Sequence, residues 1–259
     1  MDYQIAIPSY QRPDRIKECS LKTLKKLDAK MSNVTVFVAN DEQYKIYKKA
    51  LSNVNIVVGE LGIGKQRIFI NNYYDKDTKI FCLDDDIISL AQKNGDKLIE
   101  YDSSLDQIVE KGYSICEKIN ARMWAVNPVY NGFFMSDTIS IGLRYIIGAF
   151  FGSYGKCPVW GEGRKDFSSG EDYLSSILSY NLYGSVVRFD GICIKTKYFA
   201  EGGIQGLLGG KEKRYEDHKQ KLTWIEQTYP DLAKVYYKSG NVPNLRLKRV
   251  THKKVRFKV

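Results

Sequence analysis

Five cysteines, Cys19, Cys82, Cys116, Cys157 and Cys193, lie far apart along 259 residues, odd in number and without a C-x-x-C pair. That spacing excludes a disulfide framework and a zinc knuckle and fits a reducing, cytoplasmic setting. Long hydrophobic runs are missing as well. The longest apolar stretch, Ile139 to Phe151, is interrupted by Arg144 and falls short of the roughly 20 residues that span a bilayer. It reads as buried strand, and no membrane partner is expected. No apolar signal core precedes the Pro8-Ser9-Tyr10 turn. Histidine is scarce, with only His218 and His252. Acid is absent from the C-terminal stretch: residues 232–259 hold nine of the 40 Lys and Arg and none of the 30 Asp and Glu.

The formal net charge of +10 is therefore a C-terminal property. Such a region attracts a polyanion, either nucleic acid or the diphosphate of a small ligand, through its long-range field. It also reads as a solvated edge strand whose lysines block aggregation. The length suffices for one sizeable core and one domain with appendages.

Short β-branched runs alternate with helical stretches in the first third. Strands are expected at Gln4–Ile7, Val34–Val38, Asn55–Val58 and Lys79–Leu83, and helices at Pro13–Leu27, Asp41–Leu51 and Lys65–Tyr74. Strands separated by helices imply a mostly parallel sheet, whose ligands bind beyond the carboxyl ends of the strands. The residues that follow the four strands are polar: Pro8 to Arg12, Asn40-Asp41, Gly59 to Arg67, and Asp84-Asp85-Asp86. All four groups are expected on one rim. Further on, the pattern gives a helix near Ser104–Ile119, aromatic strands between Met123 and Phe151, and a helix over Asp172–Tyr183. A glycine-rich loop over Gly202 to Gly210, a helix from about His218 to Lys238 and a basic strand complete the chain.

Three aspartates at the mouth of Ile80-Phe81-Cys82-Leu83 put negative charge where burial is costly without a cation. A hard divalent ion is the natural partner, because magnesium and manganese take carboxylate oxygens and leave positions open for phosphate oxygens. Asp84 and Asp86, on one side of an extended backbone, are the expected ligands. The bland alternative is helix capping. Upstream, Gly59-Glu-Leu-Gly-Ile-Gly64-Lys65 satisfies the first seven positions of a phosphate loop, but Gln66 stands where a Ser or Thr hydroxyl should bind magnesium. An NTPase stays open as an alternative. The same loop offers close backbone approach at Gly64 and phosphate or base contacts from Lys65 and Arg67.

Taken in order, Ile5-Ala-Ile-Pro-Ser-Tyr-Gln-Arg12, Val38-Ala-Asn-Asp41, Gly62-x-Gly-Lys-Gln-Arg67, Phe81-Cys-Leu-Asp-Asp-Asp86 and Gly170-Glu-Asp172 resemble GT-A glycosyltransferases. More narrowly, they look like the phage and viral TET-associated glycosyltransferases, which are linked to sugar attachment on hydroxymethylated pyrimidines in DNA. The resemblance implies an α/β, Rossmann-like GT-A fold with a mostly parallel central sheet, an irregular acceptor-side half and a basic C-terminal extension. It implies one catalytic domain over 1–259, with 1–100 as the nucleotide-sugar half, 101–200 as the acceptor half, and 201–259 as mobile loop, helix and tail. If the source is viral, the location is the host cytoplasm.

By the same resemblance, Pro8, Ser9, Tyr10 and Arg12 line the nucleotide site, Asp41 reads the base, and Gly64, Lys65 and Arg67 approach base or phosphates. Asp84 and Asp85 face the donor, and Asp84 and Asp86 hold Mn²⁺ or Mg²⁺, with His218 or His252 as a third ligand. The general base is Asp172, with Glu171 second. Such a base must reach the attacking hydroxyl and stay ionised, which a helix N-terminus favours; the bland alternative is again a helix cap.

The expected function is metal-dependent transfer of a hexose or pentose from a nucleotide diphosphate sugar, such as a UDP-sugar, to a hydroxyl acceptor. That acceptor is 5-hydroxymethylpyrimidine in DNA or, alternatively, a glycan, protein or small molecule. A base in duplex must be flipped out to react. Besides the NTPase, an inactive nucleic-acid-binding module is the remaining alternative.

Overall fold

A computed structural model describes residues 2–161, 167–196, 210–238, 242–248, 250 and 254–255. The first third follows the expected series: β1 (Gln4–Pro8), β2 (Val34–Val38), β3 (Asn55–Val58) and β4 (Lys79–Leu83), with α3 (Asp41–Ala50) and α4 (Ile63–Tyr73) between the later strands. The helix expected over Pro13–Leu27 is divided at Cys19 into α1 (Pro13–Glu18) and α2 (Ser20–Lys26). Next come a hairpin, β5 (Ile87–Asn94) and β6 (Lys97–Glu100), then α5 (Leu105–Ile119), β7 (Trp124–Asn127), β8 (Ile139–Gly142) and β9 (Phe150–Tyr154). The remaining elements are α6 (Glu171–Tyr183), β10 (Val186–Thr196), α7 (Lys211–Thr228), β11 (Ala233–Lys238), β12 (Val242–Leu247) and β13 (Lys254–Val255).

The main sheet runs β13-β8-β10-β7-β9-β4-β1-β2-β3, with β5 and β6 attached through β10. β1 lies parallel to both β2 and β4, and β2 parallel to β3, so the carboxyl ends of these four strands share one rim. β9 is antiparallel to both β4 and β7 and stitches the two halves together. Because Leu83 pairs with Phe150, the segment entering β9 runs beside Asp84.

Alternation along the strands builds a layer on each face. Ile5, Ile7, Val36, Val38, Phe81 and Leu83 enter one core, together with residues of α1, α2, α3 and α5. Ala6, Phe37, Ile80 and Cys82 face the other way, against Ile70 of α4 and Trp160. A third cluster joins Leu174 and Ile177 of α6 to Leu222 and Ile225 of α7 and to Ala233 and Leu245 of the β11–β12 hairpin.

Two expectations are corrected. Ile139 to Phe151 is not one buried strand: β8 ends at Gly142, β9 begins at Phe150, and a loop fills the interval. The helix expected to reach Lys238 ends at Thr228, and Ala233–Lys238 is a strand antiparallel to β12. Pro230 explains the stop, since the residue before a proline is pushed out of the helical region. The glycine-rich loop of Gly202 to Gly210 and His252 lie outside the described residues, apart from Gly210 itself. Among the described residues no helix is long and apolar enough to cross a membrane.

Candidate active site

At the end of β4 the chain turns at Asp85 and Asp86 rather than continuing extended as expected. α2 straps this turn from below: Ser20 Oγ donates to the Asp84 carbonyl at 2.6 Å and accepts from Ile87 N at 3.0 Å. Thr23 Oγ1 donates to the Ile87 carbonyl at 3.0 Å. The break at Cys19 restarts the helix with Ser20 as its first residue, so the backbone polar groups of the turn are satisfied by side chains.

The three aspartates have three environments. Asp85 is 5% exposed and fully engaged by the β1 rim: Ser9 Oγ donates to Oδ2 at 2.6 Å, and Arg12 Nη1 sits 3.2 Å from Oδ1. Tyr47 of α3 completes the clamp, its hydroxyl 2.6 Å from Ser9 Oγ and accepting from Arg12 N at 2.9 Å. Asp84 accepts from Arg67 Nη2 at 2.9 Å while 38% of its side chain meets solvent. Its carboxyl is nonetheless pushed up to about 7, by burial first and by Asp86 and Asp85, with Arg67 opposing. Asp86 is pushed up to about 6 by burial and by the charge of Asp85.

Arg67, on α4, has a side chain 2% exposed. The same Nη2 that holds Asp84 donates to the Gly148 carbonyl at 2.6 Å, and the guanidinium lies 5.0 Å from the Phe151 ring centroid. Asp84 N donates to the neighbouring Ala149 carbonyl at 3.0 Å. The loop between β8 and β9, misread as strand, is thus bound to the acidic turn at both side chain and backbone.

The other end of that loop meets Gly170-Glu171-Asp172. Gly170 has φ of 75° and caps α6, which opens with the two acids. A Cβ at Gly148 would lie 3.3 Å from both Asp172 Cβ and Glu171 Oε1, so a side chain there would press on the acidic pair. Asp172 is well supplied with donors: the Tyr145 hydroxyl on Oδ2, Tyr173 N on Oδ1 at 2.9 Å, and the Gly148 backbone. Burial raises its pKa, and these donors oppose the rise. Glu171 is 8% exposed and is pushed up to about 8, by burial and then by Asp172, with Arg67 as a partial offset. Two adjacent carboxyls meet unequal surroundings: Asp172 has three donors that favour its charged form, while burial and the charge of Asp172 favour the proton on Glu171.

His218 of α7 also enters this neighbourhood. Its Nδ1 lies 3.3 Å from Ser169 Oγ, which donates to Asp217 at 2.9 Å, and Asp172 acts on its charge. Burial lowers the pKa of His218. Among the described residues no three His, Cys, Asp or Glu side chains converge as a metal cage, so His218 stands beside Asp172 rather than completing a triad with Asp84 and Asp86.

The remaining expected donor-site residues lie on the same rim. Pro8 ends β1, Tyr10 is half-buried, and Asp41 and Lys65 are exposed at the starts of α3 and α4. Gly64 is buried in the first turn of α4. Ser9, Asp85 and Arg67, read from sequence as donor contacts, are buried and hydrogen-bonded within the site. Gln66 explains the incomplete phosphate loop: its Oε1 accepts from Glu60 N at 2.7 Å and its Nε2 donates to the Val38 carbonyl at 3.3 Å. This side chain builds the loop from inside. Tyr47, Ser20, Tyr145 and Gly148 escaped the sequence reading, since none lies in a recognisable pattern.

No family model and no curated protein matches this sequence. Solved structures do. S. aureus TarS residues 1–349 in complex with UDP-GlcNAc overlaps with a TM-score of 0.52 at 15% identity, covering 87% of this chain and 67% of that one. A second S. aureus TarS structure overlaps at 0.50, also at 15% identity, covering 87% of this chain and 40% of that one. M. tuberculosis glucosyl-3-phosphoglycerate synthase, solved with Mn²⁺, UDP and phosphoglyceric acid, gives 0.48 at 8% identity over 97% of this chain and 88% of that one. That third overlap is too loose to argue from. The first two show the fold: a mixed α/β sheet flanked by helices, of the GT-A type.

Proposed function

We propose that this chain is a glycosyltransferase that moves a sugar from a nucleotide diphosphate sugar to a hydroxyl acceptor. The observation that carries the reading is the single connection Asp84–Arg67–Gly148–Asp172, which sets an acidic turn and a carboxylate rich in hydrogen-bond donors on two sides of one loop. The GT-A fold and the UDP-GlcNAc held by the TarS fragment support the donor class. Residues 1–100 are the donor half, with Tyr10, Asp41 and Lys65 at the rim for base and phosphate. Residues 101–200 are the acceptor half.

A divalent cation fits the turn. Asp84 has one oxygen free of Arg67, Asp86 is a second hard donor, and the pKa of each is raised by burial first and then by neighbouring carboxylates, a cost that a cation would relieve. Mn²⁺ or Mg²⁺ held by Asp84 and Asp86, when bound, supplies charge stabilisation to the departing diphosphate. The protein's own contributions are distinct. Arg67 keeps Asp84 in place, Ser9, Arg12 and Tyr47 lock Asp85 so that the turn cannot swing, and Asp172 accepts the acceptor hydroxyl's proton as its oxygen attacks the sugar carbon.

For the acceptor, the basic C-terminal hairpin supports a polyanion. Lys234 and Arg246 are cross-strand partners, and Asn244 two residues away accepts from the Tyr173 hydroxyl at 2.7 Å. These two exposed cations lie on the hairpin that holds Tyr173, the neighbour of Asp172, and would suit an acceptor such as DNA bearing hydroxymethylated bases. Lys234→Ala with Arg246→Ala should weaken oligonucleotide binding and flatten its salt dependence. Unchanged binding would remove DNA from the proposal while leaving the donor chemistry standing.

The deciding experiment is a thermal-shift panel of UDP, GDP, UDP-glucose, UDP-GlcNAc and GDP-mannose, with and without Mn²⁺. Binding to the folded state raises the unfolding temperature by linkage. At least one nucleotide should shift wild type in a Mn²⁺-dependent way and fail to shift Asp86→Ala. No shift under any condition would overturn the donor assignment.

A further inference from the structure

Asp172 owes its orientation to a side chain that no sequence pattern marks. Tyr145 lies in the β8–β9 loop, and its hydroxyl donates to Asp172 Oδ2. The ring is stacked on Tyr173, with centroids 4.3 Å apart and planes at 26°. Tyr173 is fixed in turn, since its hydroxyl donates to Asn244 Oδ1 on β12 at 2.7 Å. Ser176 Oγ adds a brace by accepting from Ile146 N at 2.9 Å, which ties the residue after Tyr145 to α6. The phenol is thus held from three directions before any substrate arrives.

A carboxylate has one soft torsion and two equivalent oxygens. The amide of Tyr173 holds Oδ1 and the phenol of Tyr145 holds Oδ2, and with the Gly148 amide as a third donor the carboxylate plane of Asp172 is fixed with one lone pair left to receive a proton. Without the phenol, the carboxylate is left to the helix N-terminal amide and to Gly148, and its plane is free to rotate toward them.

We infer that Tyr145 is a positioning residue for the acceptor side: it orients the Asp172 carboxylate, and Tyr173 with Asn244 of the C-terminal hairpin holds it there. This rests on Asp172 as the base. In the step served, the acceptor O–H bond breaks and its proton goes to Asp172. The oxygen forms a bond to the sugar carbon, and the bond from that carbon to the diphosphate oxygen breaks, its electron pair leaving with the diphosphate. Tyr145 exchanges no proton; it decides where the receiving lone pair points.

Tyr145→Phe keeps the ring and its stack and removes only the hydroxyl. In metal-free protein, the infrared carboxylate band that disappears in Asp172→Asn should shift in Tyr145→Phe and shift the same way in Asn244→Ala. In turnover, release of UDP or GDP is measured with whichever of UDP-glucose, UDP-GlcNAc or GDP-mannose gives the largest thermal shift. Tyr145→Phe should lower kcat by about 10- to 100-fold, the scale of a misplaced catalytic group, at unchanged donor KM. Placed on Asp172→Asn, Tyr145→Phe should cost nothing further, whereas a merely structural role would cost the same in both backgrounds. An unshifted carboxylate band, or equal losses in the two backgrounds, overturns the role of Tyr145 while leaving Asp172 in place. Full turnover in Asp172→Asn overturns the base assignment, and this inference with it.

Discussion

Replacing Arg67 with methionine tests whether this arginine builds the site or touches the ligand. The guanidinium is 2% exposed and serves two acceptors, Asp84 Oδ1 at 2.9 Å and the Gly148 carbonyl at 2.6 Å. Breaking a fully buried pair costs about 3–5 kcal/mol. Asp84 is 38% exposed and can rehydrate or take a proton, so its share is smaller. Leaving the Gly148 carbonyl without its donor adds about 1–3 kcal/mol. Methionine refills part of the volume but gives up the guanidinium's contact with the Phe151 ring, so a net loss of about 3 kcal/mol is expected. At about 2–4 °C per kcal/mol for a domain of this size, the unfolding temperature should drop by about 6–12 °C. Arg67→Lys should fall between, because one ammonium does not reproduce the guanidinium's fork geometry. Calorimetry on ligand-free protein is the assay. An unfolding temperature within about 1 °C of wild type would refute the reasoning, and loss of nucleotide binding in an otherwise unchanged Arg67→Met would make Arg67 a direct contact after all.

Glu171 sets a pH dependence. Its folded pKa of about 8 stands above the ordinary 4.5, so the stability it confers is complete below about pH 4.5 and lost as pH rises toward 8. Glu171→Gln should flatten that decline and be more stable than wild type by about 1–3 kcal/mol at pH 8.5 in urea titrations; a parallel pH curve would mean that Glu171 is not the protonated partner. Asp85→Ala removes the carboxylate that Ser9 and Arg12 share in a buried clamp and should cost about 1–3 kcal/mol in the same titration; a change below about 0.5 kcal/mol would mean the clamp is loose. Gly152→Ala places a Cβ 1.9 Å from Trp124 Nε1, and Gly112→Ala one 2.4 Å from Trp124 Cδ2. Each should lower stability by about 3 kcal/mol or more and disturb Trp124 fluorescence, and Trp124→Phe should rescue both; failure of the rescue would locate the strain elsewhere.

The first four strands were legible because each is a short β-branched run whose alternate residues enter opposite cores, as Ile5 and Ile7 do against Ala6. The rim followed from parallel topology alone. What escaped were features set by one or two residues. The β5–β6 hairpin turns at Gly95, with φ of 60°, after Asn94, a turn signal hidden between polar stretches. Ile139 to Phe151 looked like one strand because composition cannot distinguish a buried strand from a buried loop. Within the site, the acidic turn and the Glu171-Asp172 pair were visible as carboxylates placed after structural boundaries. Their connection was not, because Arg67, Tyr145 and Gly148 act through contacts spanning 17, 27 and 81 residues.

Gly148 has one further consequence. Its carbonyl answers to Arg67, and through it to Asp84, while its amide answers to Asp172. Whatever shifts the Asp84 carboxylate tugs on Arg67 and so on the residue that faces Asp172. The two substrates of such a site would sense one another without any hinge, each changing the affinity for the other by the same factor.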